Sequence, residues 1–143
     1  MKSIFLILLL PLLSVKQPET KSVRFDGLYV TQCSFEDDIE GDKQYLRFYP
    51  NGKVISIPTD CQGDGVEVSS WFYIDNKEIE YLNVGEYRIN GNQIAFSTVS
   101  KVGIVEYKGK ITKEGVLKLK YKSLINGDRG NEEFKFYQIN NLP

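Results

Sequence analysis

Residues 85–122 read GEYRINGNQIAFSTVSKVGIVEYKGKITKEGVLKLKYK, four short runs in which apolar and polar side chains alternate, separated by turn residues. Period two is the spacing of a strand that turns one face to a core and the other to water. In the last run Leu117, Leu119 and Tyr121 alternate with Lys118, Lys120 and Lys122. Asn90-Gly91 between the first two runs tolerates the positive φ values of a type I′ hairpin turn. The stretch therefore predicts consecutive antiparallel hairpins.

The rest of the chain repeats this grammar. Strands are expected at 28–35, 45–49, 54–58 and 66–75, then at 85–89, 93–99, 103–111, 116–125 and 132–139. Pro50-Asn51-Gly52-Lys53 and Asn126-Gly127 mark further turns. Residues 76–84 fit either a long loop or a single helical turn. Residues 36–43 (EDDIEGDK) form an acidic loop without the spacing of a calcium-binding loop, so they read as solvated and no metal site is expected. Short sequential hairpins favour a meander over a Greek key. The expected fold is all-β: an up-and-down antiparallel meander of 8–9 strands closed into a lipocalin-like barrel, because closure covers the apolar face and removes the edges. Nine Tyr and eight Phe suit such a protein. Period two places Leu46, Phe48, Ile57, Tyr87, Ile89, Ile94, Phe96, Val105, Tyr107, Ile111, Leu117, Leu119, Tyr121, Phe134 and Phe136 inside, with Gly109 and Ser123 as small positions among them.

The N-terminus is a separate object. Lys2 precedes the apolar run 4–13, which is too short to span a bilayer and right for a secretory signal. The expected division is a signal peptide at 1–17, a polar linker at 18–25 and one barrel domain at 26–143. Export, periplasmic or extracellular, bears on the two cysteines. In an oxidising compartment Cys33 and Cys61 are expected to pair; in the cytosol they would be two buried thiols.

The chain has no His, which removes Ser-His-Asp and Cys-His arrangements and the commonest general base. No phosphate-binding glycine pattern occurs. Its carboxylates fall in loops or at outward strand positions such as Glu86, Glu106 and Glu133. No catalytic residue and no cofactor is expected. A net charge of −1 offers no pull toward nucleic acid or, once a signal is cleaved, toward a membrane.

An exported meander with Gly27-Leu28-Tyr29 opening its first strand resembles the lipocalin-like (calycin) barrels, with Tyr29 where lipocalins carry Trp. The resemblance implies a barrel that holds a small apolar molecule. On that reading the interior ligand-binding residues are Trp71, Tyr87, Phe96, Tyr107, Gly109, Tyr121 and Phe134. The outline is also similar to small exported bacterial protease inhibitors, barrels with one disulfide and a mobile N-terminal tail. The alternative expectation is therefore a protein partner bound through the surface, loops or tail.

Overall fold

The computed structural model describes residues 21–35, 39–72 and 82–142. The expected signal at 1–17, the first part of the linker and Tyr73 lie outside the described residues, as do the acidic positions 36–38.

Eight strands, each hydrogen-bonded to its sequence neighbours, form a closed antiparallel barrel. They are β1 (Gly27–Val30), β2 (Asp42–Phe48), β3 (Lys53–Asp60), β4 (Asn83–Asn90), β5 (Gln93–Ser100), β6 (Gly103–Ile111), β7 (Leu117–Ser123) and β8 (Arg129–Gln138). The seam is β1 against β8, with Tyr29 opposite Phe136. The architecture is the expected up-and-down meander, with eight strands among the described residues. Gly91 in the β4–β5 turn has φ +62°, as an Asn-Gly hairpin requires.

Strand parity sorts the side chains. Tyr29, Leu46, Phe48, Val54, Ile94, Phe96, Tyr107, Ile111, Leu117, Leu119 and Phe134 are buried together inside the barrel. Tyr87, Ile89, Val105, Tyr121 and Phe136 pack against them. Every inward expectation except Ile57 is met. On β3 the inward positions are Val54 and Ser56, so Ile57 faces out beside Ile55. This strand is apolar on both faces, and one apolar residue could not reveal its parity.

The outward apolar face has its own cover. Leu28, Tyr45, Ile55 and Ile57 form a second core with Val68 and Phe72, and Trp71, Leu82 and Val84 pack at its edge. Val68 and Phe72 belong to a segment expected as a strand at 66–75. Its first part is instead a short helix, α1 (Gly65–Ser69). Asp64 caps it by accepting from the Val66 amide at 2.8 Å. The turn that follows α1, in which the Trp71 amide donates to the Val68 carbonyl at 2.9 Å, brings Phe72 onto the sheet beside Val68. The aromatic run that begins at Trp71 suggested the strand, because aromatic residues are enriched in strands.

One end of the barrel carries tight turns. Residues 21–24, expected as linker, dock there. The Lys21 amide donates to the Gly91 carbonyl at 3.2 Å, and its Nζ donates to the Thr112 carbonyl at 3.1 Å. Val23 is buried in the interior core. The Arg24 amide donates to the Tyr29 hydroxyl, and its guanidinium lies 4.1 Å above the Phe136 ring. The other end carries the disulfide. Cys33, in the loop after β1 rather than in the strand, is bonded to Cys61 after β3, with their Cα atoms 5.6 Å apart. Such a bond persists in a non-reducing environment. Among the described residues no helix is long and apolar enough to cross a membrane.

Candidate ligand site in the barrel lumen

The lumen has an aromatic lining and, toward the disulfide end, a polar layer. Phe48 meets Tyr29, Tyr87 and Phe96 edge-on at 5.4, 5.1 and 5.7 Å between ring centroids. Phe96 stacks on Tyr107 at 4.8 Å. Such contacts fix ring positions beyond what burial alone supplies.

Six of the seven expected site residues therefore share the lumen: Tyr87, Phe96, Tyr107, Gly109, Tyr121 and Phe134. Trp71 does not. It follows α1 and packs in the outer core, because the helix turns this segment onto the outside of the barrel. Gly109 is not a gap in the wall either. A Cβ there would lie 1.9 Å from the Lys118 carbonyl oxygen, so glycine permits close approach of β6 and β7. Phe134 is fully buried among Leu117 and its neighbours.

The polar layer comprises residues that alternation of apolar side chains does not single out. Followed through the registers and the tilt of the strands, Gln44, Ser56, Thr98, Tyr107 and Glu132 fall at one level. The Gln44 amide nitrogen donates to Ser56 Oγ and, at 2.8 Å, to the Tyr107 hydroxyl. Burial, with the Glu132 charge adding to it, pushes the Tyr107 phenol up to about 12. Glu132 is opposite Leu119, on the inward parity of Phe134 and Phe136. Burial, reinforced by the Asp128 carboxylate, raises Glu132 to about 7. Its Oε2 is buried with no hydrogen-bond partner, and so is Thr98 Oγ1. Above this layer Tyr121 lies against Gly130 and donates its hydroxyl to Asp128 at 2.9 Å.

The signal for these residues was parity. Gln44 is in phase with Leu46 and Phe48, Thr98 with Ile94 and Phe96, and Glu132 with Phe134 and Phe136. A polar residue on a core parity marks a position where a buried partner is needed. Chemically, the layer offers a carboxylate that changes charge near neutral pH and acceptor oxygens in apolar surroundings. No protein-family model matches the chain, and no curated protein matches it.

Proposed function

We propose that this chain is a non-catalytic, lipocalin-like binding protein, exported to the periplasm or the extracellular space, that holds one small amphipathic molecule in its lumen. The observation that carries this reading is the pair of buried, unpartnered oxygens, Thr98 Oγ1 and Glu132 Oε2, at one level above an aromatic lining. A buried polar group without a partner costs about 1–3 kcal/mol. A ligand that brings the missing donor turns that cost into affinity and selectivity. The chemistry that fits is an ammonium or similarly donor-rich head at Glu132 and Thr98. Its apolar portion would displace or repack the side chains around Tyr87, Phe96, Tyr107 and Tyr121. This narrows the hydrophobic ligand expected from the sequence to one with a polar end.

Thermal unfolding with octylamine and with octanol at pH 7.5, in wild type and in Glu132→Gln, tests the reading. Ligand bound to the folded state raises the melting temperature by mass action. Octylamine should raise it more than octanol in wild type, and the difference should vanish in Glu132→Gln. Equal shifts from both compounds, or an amine preference that survives in Glu132→Gln, would contradict it.

A further inference from the structure

The outer face of β4–β8 bears charge that the net value of −1 conceals. Outward positions on these strands hold eight basic side chains against three acidic ones. Across the ladders Lys108 is directly opposite Lys120, Lys110 opposite Lys118, and Lys122 opposite Arg129. Like charges in direct cross-strand register destabilise a sheet, and a face kept for solubility alone would intersperse the signs. Of the three acids, Glu86 is engaged by Lys53 on β3 and Glu133 by Lys118 at 2.9 Å. Lys53 also holds the Glu86 carboxyl below the usual range.

Two adjoining open hollows of about 1050 and 670 Å³ lie along this face, sharing Arg88, Ala95, Lys108, Lys120 and Asn131. Small residues at Ala95 and Ser97 leave the lysines standing around a low floor. We propose that this cleft binds a linear anionic polysaccharide, one carrying sulfate or carboxylate groups along its length. Four features of the cleft select that partner. Its two adjoining hollows suit a chain rather than the plane of a membrane. Its outward side chains include no aromatic on which nucleic-acid bases could stack. It has no exposed aliphatic anchor of the kind that carries protein–protein affinity. Its basic charges are mostly lysines, compact point charges that suit repeated anionic groups without fixed two-pronged geometry, and they outnumber the glutamates Glu86, Glu106 and Glu133 that share the outward lining.

Binding to immobilised heparin oligosaccharide and to alginate, measured across a salt series, tests this and separates the sulfate and carboxylate sources. At least one should bind at physiological ionic strength, with log affinity falling linearly as log salt rises, as counterion release requires. The double variant Lys108→Glu/Lys120→Glu should lose at least about tenfold in affinity, because it reverses two central charges of the cleft. Lys101→Glu, in the β5–β6 turn outside the cleft, should lose less than about twofold. All these positions are exposed, and unchanged melting temperatures would confirm that the variants are folded. Equal losses in the double variant and Lys101→Glu would overturn the proposal. So would failure to bind either polysaccharide, or tighter binding to poly-glutamate, single-stranded DNA or anionic vesicles.

Discussion

Glu132 dominates the chemistry at the scale of single residues. Its folded pKa of about 7 stands above the ordinary 4.5, so the folded state holds a proton that the unfolded state has released. Stability that depends on this proton is fully present below about pH 4.5 and is lost as pH rises through 7, worth about 3 kcal/mol. The difference between wild type and Glu132→Gln isolates the effect from other carboxylates. Urea midpoints should show Glu132→Gln more stable than wild type at pH 8, with the gap closing toward pH 4.5. A variant less stable than wild type at pH 8 would mean that the carboxylate is satisfied as an anion. The residue was legible in the sequence only as a break in an apolar parity. Reading every carboxylate on a strand as outward hid it among Glu86, Glu106 and Glu133, which do face solvent.

At the scale of elements, β7 is the strand whose faces are most sharply divided. Leu119 is buried and Lys120 exposed. Leu119→Ala should cost roughly 2–5 kcal/mol in chemical denaturation, and Lys120→Ala under about 0.5 kcal/mol. The outer core makes a parallel demand that alternation did not anticipate. Phe72→Ala should cost roughly 3–5 kcal/mol even though Phe72 lies outside the barrel. A cost under about 1 kcal/mol would mean that α1 and the residues after it do not seal the face of Ile55 and Ile57. Hairpins were legible because alternation and turn residues are local signals. The covering of β3 was not, because a two-sided apolar strand and a short helix followed by an aromatic run yield the same local pattern as ordinary strands. Gly109 shows a similar limit. A small residue on an inward parity suggested room, whereas the backbone of β7 occupies it.

The whole molecule is a barrel with two cores and two unlike ends. Closure was foreseeable, since eight or nine sequential strands with one greasy face must cover that face and remove their edges. The pairing of Cys33 with Cys61 was expected from export to an oxidising compartment, and the meander returns both to one rim. The docking of residues 21–24 was not foreseeable, because the polar stretch at 15–24 has no period; among the described residues 21–24, Val23 reaches the core and Arg24 the Phe136 ring. Nor was the segregation of charge, since composition averages over faces. The strands close through β1 and β8 around a lumen with a polar layer above aromatic rings. Through-space NMR cross-peaks between side chains test this arrangement. Cross-peaks are expected between the Tyr29 and Phe136 rings across the seam, between the Gln44 side-chain amide and the Tyr107 ring, and between Ile57 and Phe72 outside. Contacts of Ile57 with Phe96, or none between Tyr29 and Phe136, would contradict it.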